Sequence, residues 1–537
     1  MPTLQFKGKN IIWNHHLSVP YHTLEEVEEL HFQPEKGEGN LIIEGDNLVG
    51  LKALLPQFAG RVKCIYIDPP YNTGNEGWSY NDKVNSPLIR SWLGQVIGKD
   101  DLTKHDKWLC MMTPRLKLLK EFLAVEGLIF ISIDDNEVDN LRLIMNEIFG
   151  EQNFIAQFVW EKIHSSKNDA KYVSDNHEYI LCFANNIENV SINLLPRTEK
   201  MDKNYKNPDN DPRGVWASGD LVANEERKEG YYNVISPTTG KVFNVPKGKH
   251  WVFSQENLEN LIADNRIYFG KNGNAFPRLK RFLSDVQQGR KSDTLWLSKE
   301  VGHNQEAKRE LKRLIGEVEN VDKQTPKPVR LILRVLELST DKNSIVLDSF
   351  AGSGTTMHAI MEMNKNDSGS RSCILLQMKE DSENEPEKNI CQTITRERVY
   401  SSINFHEYKS GFRYLRIGST IDSETMLDGE LPSYQQFAGY VYYLATGNHL
   451  AEKEKIDQER NFVGLKGSIA VYLIYKQDMD QLTRLALTLQ RAEQIIKDSP
   501  GMRRIVFAPS CFLDEEYMKA MQIEFVSVPY NLFERKI

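Results

Sequence analysis

The stretch from Cys64 to Glu76, CIYIDPPYNTGNE, constrains the fold more than any other. The apolar run that leads into it, VKCIYI at residues 62–67, reads as a fully buried strand, because strands covered on both faces are continuous hydrophobic runs rather than alternating ones. Asp68, Pro69 and Pro70 then end the ladder, since a charge is followed by two residues without a backbone N–H. What such a strand leaves at its carboxyl edge is one carboxylate, two prolyl carbonyls without competing donors, and the ring of Tyr71.

Around this stretch the pattern is that of an α/β unit. LIIEGDN reads as strand and loop, residues 47–58 as a helix, WLCMMTPRLKLLKEFLA as a second helix and GLIFISI as another buried strand. DDNE reads as a helix cap, with Asp134 at the cap and Glu137 three residues on, in preference to a metal site. FIAQFVW and HEYILCFA are two further strands, and His177 at the head of the second reads as structural. From about Leu194 to Lys299 the rhythm gives way to Asn, Asp, Gly, Pro and aromatic residues with turn signals, an insertion with its own small structure. It resumes with a helix after Pro328, the strand SIVLD, a glycine-rich turn, a helix from about Thr356 and the strand CILLQM. A final section repeats strand and helix, with MDQLTRLALTLQRAEQIIK as one helix. The expected division is an extension at 1–39, a catalytic half at 40–193, the insertion at 194–299, a cofactor half at 300–419 and a C-terminal α/β section at 420–537, expected as a dimer or partner surface.

The net charge of −8 over 537 residues advertises no polyanionic partner, so any nucleic-acid surface must be local. Six cysteines without a CxxC pair fit reduced core thiols and no metal site. No signal-peptide pattern and no apolar run of membrane-spanning length is present, so a soluble, cytoplasmic protein is expected.

The second motif is VLDSFAGSGTT at residues 346–356, a strand, an acidic residue, a glycine turn and a helix start. Such a turn lets backbone N–H groups approach a ligand. No lysine follows Gly354, as a phosphate-gripping loop requires, and the spacing Gly352-Ser353-Gly354 is not a dinucleotide fingerprint. Alone, the turn is either a cofactor loop or a tight connection. With Asp-Pro-Pro-Tyr, it fits a nucleoside cofactor without phosphates, such as S-adenosylmethionine. Asp348, Phe350, Ala351, Gly352, Ser353, Gly354 and Thr355 are the candidate cofactor residues on the turn, and Glu380 stands where such sheets place a ribose carboxylate, with Asp381 and Glu383 as rivals.

Taken in order, LIIEGDNLVGLKALL, IYIDPPYNTGNE, TPKPVRLI and VLDSFAGSGTT resemble the β-class adenine-specific DNA methyltransferases, and most of all the Mod subunits of type III restriction-modification systems. The resemblance runs from about residue 40 onward and includes the C-terminal FLDEEYMKAMQIEFVSVPY. It implies a Rossmann-like methyltransferase sheet assembled from two segments. It also implies methyl transfer from S-adenosylmethionine to the N6 amine of an adenine flipped out of double-stranded DNA, with a restriction subunit and a second copy of the chain as partners. Asp68 and the Pro69 carbonyl would hold the two amine protons, Pro70 would stiffen the loop and Tyr71 would stack on the base. Asp46 is either the cofactor-adenine contact or a helix cap. Lys327 is either cofactor-side packing or part of a helix start. N4-cytosine methylation is the nearest alternative, although members acting on cytosine tend to carry Ser where Asp68 stands; a non-catalytic recognition subunit is another. Target recognition is expected in the insertion, where Arg266, Lys271, Arg278, Lys280 and Arg281 interleave with Phe269, Phe276 and Phe282.

Overall fold

The computed structural model describes residues 3–37, 39–73, 104–164, 172–224, 228–286, 289–318, 321–381, 387–422, 425–426, 430–450 and 455–528. The chain forms two compact units, Met1–Ile192 with Asp293–Ile537, and Asn193–Ser292.

Among the described residues, the first unit carries a ten-stranded sheet. In chain order its strands are β1 (Tyr21–Glu26), β2 (Leu41–Glu44), β3 (Val62–Ile67), β4 (Leu123–Ile133), β5 (Phe154–Glu161), β6 (His177–Ala184), β7 (Leu295–Trp296), β8 (Ile345–Asp348), β9 (Ser372–Gln377) and β10 (Arg413–Ile421). In space they run β1-β10-β2-β9-β8-β3-β4-β6-β5-β7. The middle, from β10 to β4, is parallel throughout. β1 joins β10, and β6 joins both β4 and β5, in antiparallel fashion. This is the expected Rossmann-like sheet, assembled from two distant chain segments.

Parallel strands must be covered on both faces, and the helices supply that cover. Leu51 of α1 (Asn47–Phe58), Trp108 and Leu116 of α2 (Lys104–Phe122) and Leu141 of α3 (Val138–Phe149) share one core with Ile65 and Ile67 of β3. α4 (Val329–Ser339) packs on β3 and β4 as well as on α5 (Thr355–Asp367), and α6 (Glu397–His406) packs on α5. β3 and β8 are direct neighbours, with Cys64 opposite Val346 and Ile65 opposite Leu347. The two sequence motifs therefore leave the same edge of the sheet side by side, where open α/β sheets bind ligands. Burial raises the thiols of Cys64 and Cys391 to about 12, as inert core cysteines require.

The C-terminal section forms a second sheet, β11 (Phe462–Lys466), β12 (Ile469–Leu473), β13 (Arg503–Ala508) and β14 (Ile523–Ser527), in that spatial order. It shares the main core. Helix α7 (Tyr434–Thr446) sets Tyr440 against Tyr21, ring centroids 4.4 Å apart, and the Tyr443 hydroxyl donates to Glu121 at 2.5 Å. The single helix expected over MDQLTRLALTLQRAEQIIK is two, Met479–Leu482 and Leu489–Asp498, because the Thr488 hydroxyl caps the second by accepting from the Arg491 N–H.

The unit Asn193–Ser292 has its own core of Leu221, Val234, Phe243, Trp251, Leu258, Ile267 and Phe269. Its largest sheet pairs Arg278–Phe282 with both Trp216–Gly219 and Ile267–Tyr268, all antiparallel. The interleaved aromatics are mostly core: Phe269 and Phe282 are buried, and Phe276 stacks on Trp251.

Candidate active site

Asp68 leaves β3 into a cluster of four polar side chains. The Lys327 ammonium lies 3.0 Å from Asp68 Oδ1 and 3.1 Å from Glu178 Oε2, and it donates to the Tyr71 hydroxyl at 2.7 Å. The Tyr71 hydroxyl in turn lies 2.7 Å from Asp68 Oδ1 and 3.1 Å from Glu178 Oε2. Burial raises the Asp68 carboxyl above the ordinary carboxylate range, and Glu178 adds to that, while Lys327 opposes it. Burial alone would lower Lys327, but the two carboxylates outweigh it and hold the ammonium above its usual value. Both protein contacts of Asp68 fall on Oδ1. Among the described residues, Oδ2 and the Pro69 carbonyl have no protein donor.

The loop after Asp68 is braced from below. The Pro70 carbonyl accepts from Trp108 Nε1 at 2.7 Å, so among the described residues one of the two prolyl carbonyls, that of Pro69, lacks a donor. Asn72 follows in the left-handed region, φ 62°, a conformation that asparagine tolerates better than most residues. Its amide donates to Glu137, whose buried carboxylate also meets His105 Nδ1 at 2.7 Å and Asn140 at 2.8 Å. Glu137 therefore does not serve the expected capping box. α3 begins after it, and the Asp134 side chain turns to the N–H and amide of Asn136.

On the neighbouring strand, Asp348 is buried beneath the glycine turn and shapes it, accepting from the Phe350 N–H at 3.1 Å and the Thr356 hydroxyl at 2.5 Å. Burial raises its carboxyl to about 7, against the pull of those two donors. Gly352 and Gly354 take φ 51° and 77°, which favours glycine at both positions. The Gly352 N–H donates to Gln377 Oε1 at 2.7 Å. Ser353 and Thr355 turn away into the protein, where Arg398 donates to both hydroxyls, at 2.9 and 2.6 Å.

A cavity of about 380 Å³ joins the two strand ends. Asp68, Pro69, Pro70, Tyr71 and Lys327 line one part, and Phe350, Gly352 and Glu380 another. Asp46, Asp348, Ala351, Ser353, Gly354 and Thr355 are not among its described lining residues. Asp46 caps α1, accepting from Leu48 and Val49 and pairing with Arg115 at 3.2 Å. Its neighbour Asn47 lines the cavity instead and donates to the Ser349 carbonyl at 3.1 Å. Lys327 immediately precedes Pro328, the N-cap of α4, and lines the cavity with Gly352 and Glu380, so both of its expected placements hold, and its head group reaches on to Asp68 and Tyr71. Of the acidic rivals, Glu380 lines the cavity, Asp381 is not among its lining residues, and Glu383 lies outside the described residues.

Sequence reasoning missed Glu178, Ser349 and Gln377. Ser349 is buried in the cavity wall, and its hydroxyl has no partner among the described residues. Gln377 is the last residue of β9, and Glu178 is an acidic residue at the head of the apolar run YILCFA, the one textual sign of its importance.

In the second unit the basic set divides. Lys280 is fully buried between Asp209 at 2.5 Å and Asp211 at 2.9 Å, so its expected contact with DNA is corrected to a structural ion pair. Arg266 pairs with Asp264 and Asp285, and Arg278 with Asp220. Lys271 and Arg281 are exposed, with no ion pair among the described residues.

Residues 62–388 match the model of a family described as DNA methylase. The Mod subunit of the type III restriction-modification enzyme StyLTI from Salmonella typhimurium is 36% identical over 365 residues, covering 65% of this chain and 54% of the relative. The EcoP15I Mod subunit from Escherichia coli is 31% identical over 416 residues, covering 68% and 62%. The type II methyltransferase M.KpnI from Klebsiella pneumoniae is 28% identical over 405 residues, covering 72% and 88%. The chain thus spans between 54% and 62% of the length of these two Mod subunits.

Proposed function

This chain belongs to the DNA methylase family, and on that premise we propose that it methylates the N6 amine of adenine in DNA with S-adenosylmethionine as methyl donor, as the modification subunit of a restriction-modification system. The observation that carries the reading is the end of β3. Asp68 and Pro69 both line the cavity, and among the described residues Asp68 Oδ2 and the Pro69 carbonyl have no protein donor, which makes them a pair of acceptors for the two protons of an exocyclic amine. Accepting both draws the nitrogen lone pair out of the ring and toward an electrophile. Lys327 and the Tyr71 hydroxyl hold Asp68 through its other oxygen, so the acceptor is oriented in advance. Asp68, rather than a serine, favours adenine over cytosine by the resemblance.

The cavity fits the donor. Its volume lies in the range of small-molecule sites, Gly352 leaves the turn open toward it, and the unpartnered Ser349 hydroxyl and the Glu380 carboxylate offer partners to ribose or amino-acid groups. When bound, S-adenosylmethionine would supply an electrophilic methyl group. Asp68 and the Pro69 carbonyl would hold the amine with its lone pair toward that methyl group, the thioether would leave as the methyl passes to nitrogen, and the Asp68 carboxylate would take the proton that the methylated nitrogen sheds and pass it to water. On this reading the substrate is double-stranded DNA with the target base flipped out, the partners are a nuclease or helicase subunit and a second copy of this chain, and the site of action is the cytoplasm. Lys271 and Arg281 are the basic side chains left for the DNA backbone, with Arg278 available by exchange of its partner Asp220.

The test is methylation of unmodified DNA with labelled donor, followed by digestion to nucleosides and mass spectrometry. N6-methyladenine is expected, reduced roughly 10²-fold or more in Asp68→Ala with donor binding kept. N4-methylcytosine would overturn the adenine assignment, and no methylated base the activity. Light scattering on the full chain tests the dimer.

A further inference from the structure

Two carboxylates, the half-buried Asp68 and the buried Glu178, meet one lysine at the reaction end of the cavity, and only Asp68 has a task in methyl transfer. Glu178 comes from β6, which reaches the site across β4 rather than from beside β3. A carboxylate 7% exposed is costly unless something compensates it. Lys327 does not need it for neutrality, because Asp68 already faces the ammonium at 3.0 Å. Lys162, 3.6 Å from Glu178 Oε1, is matched by Asp175 at 2.8 Å. With Lys327 set against Asp68 and Lys162 against Asp175, the charge of Glu178 remains. The target amine is neutral, whereas a sulfonium donor carries a full positive charge and its thioether product none.

We propose that Glu178 is a positioning residue that fixes Lys327 and the Tyr71 hydroxyl on Asp68 and leaves the reaction end of the cavity with one negative charge, which favours a cationic methyl donor over its neutral thioether product. This rests on the methyltransferase reading. It explains why a second carboxylate is present, and it gives the spent cofactor a weaker hold than the fresh one.

Calorimetric titration of the full chain with S-adenosylmethionine and S-adenosylhomocysteine tests the charge without relying on turnover. Wild type is expected to bind the sulfonium more tightly than the thioether. Glu178→Gln, close in shape, is expected to weaken the sulfonium by roughly fivefold and to leave the thioether within about twofold. Glu178→Asp, which keeps the charge, is expected to retain most of the preference. If wild type binds both ligands and Glu178→Gln leaves their ratio unchanged, or weakens both equally, the assignment to Glu178 falls and the methyltransferase reading stands. If wild type binds neither ligand, the methyltransferase reading itself is overturned, and this assignment with it.

Discussion

Replacing Lys327 by Met removes the one ammonium that two carboxylates share while keeping most of the aliphatic volume. At 3.0 and 3.1 Å, and with an effective dielectric of 20, each attraction is about 5 kcal/mol before desolvation is counted. The net figure is far smaller, since Asp68 keeps 24% of its side chain exposed while Lys327 and Glu178 keep 8% and 9%. Breaking a buried pair from one side costs about 3–5 kcal/mol, and the exposure of Asp68 places the expected loss near the lower bound. The sign with pH is fixed by the carboxylate. Asp68 already has a raised folded pKa, from burial first and Glu178 next, and losing Lys327 raises it further. A group of this kind favours the folded state below its unfolded pKa and loses that contribution as pH rises through its folded pKa. The stability gap between wild type and Lys327→Met should therefore be widest at neutral pH and close as pH falls toward and below the ordinary carboxylate range. The same shift should move the acid limb of the methyl-transfer rate upward in pH, because Asp68 must be ionised to accept from the amine. Urea unfolding at a series of pH values and a single-turnover pH profile read both effects. An unchanged acid limb in a folded Lys327→Met protein would refute the claim that Lys327 keeps Asp68 ionised.

Tyr71→Phe should lower methyl transfer by roughly fivefold, the worth of about one hydrogen bond, because the hydroxyl touches both Asp68 and Lys327; Tyr71→Ala should lose roughly ten- to a hundredfold more, as the ring is removed too. Equal rates in Phe and wild type would show the hydroxyl idle, and equal rates in Phe and Ala would show the ring to be packing alone. Gly352→Val should weaken donor binding at least about tenfold at a cost of about 1–3 kcal/mol in stability, through its positive φ and by filling the cavity, since an added Cβ would approach only the Phe350 carbonyl, at 3.9 Å. Unchanged affinity by calorimetry would make the turn a mere connection. Lys280→Ala should destabilise its unit by about 3–5 kcal/mol, whereas Lys271→Ala and Arg281→Ala should leave melting unchanged and lower the salt slope of DNA binding by about one unit for each phosphate no longer neutralised. An unaltered slope would assign both side chains to solvent.

What could be read from the sequence was local. VKCIYI, SIVLD and CILLQM announce buried strands because covered strands are continuous apolar runs, and the Asp-Pro-Pro stop and glycine turn follow from chain stereochemistry. What could not be read depends on which way a side chain points after long-range pairing. Glu178 and Lys327 meet across 149 residues, and neither text, HEYIL or TPKPV, names the other. Lys280 looks like its exposed neighbours in RLKRF until strand alternation turns it inward to Asp211, 69 residues earlier. Ser353 and Thr355 share a motif with Gly352 yet face Arg398, because a tight turn sends successive side chains in different directions. The C-terminal section, expected as a dimer or partner surface, is built into the main core through α7, so shortening the chain before it would expose Tyr21 and α1 rather than isolate an interface.

The strand order also governs when this protein can fold. β2 lies between β9 and β10, so both of its edges wait for chain made much later; the Asn40 side chain accepts from the Cys373 N–H, 333 residues on. At about 5–20 residues per second, a ribosome needs roughly 15–70 s to cover that distance. During that time β2 and β3 lie apolar and unpaired on the side that β8 and β9 will fill, an open invitation to association with other chains. The nascent chain therefore has long exposure to chaperones and to its own copies, and the cavity at the ends of β3 and β8 cannot be complete before the ribosome has passed Glu380.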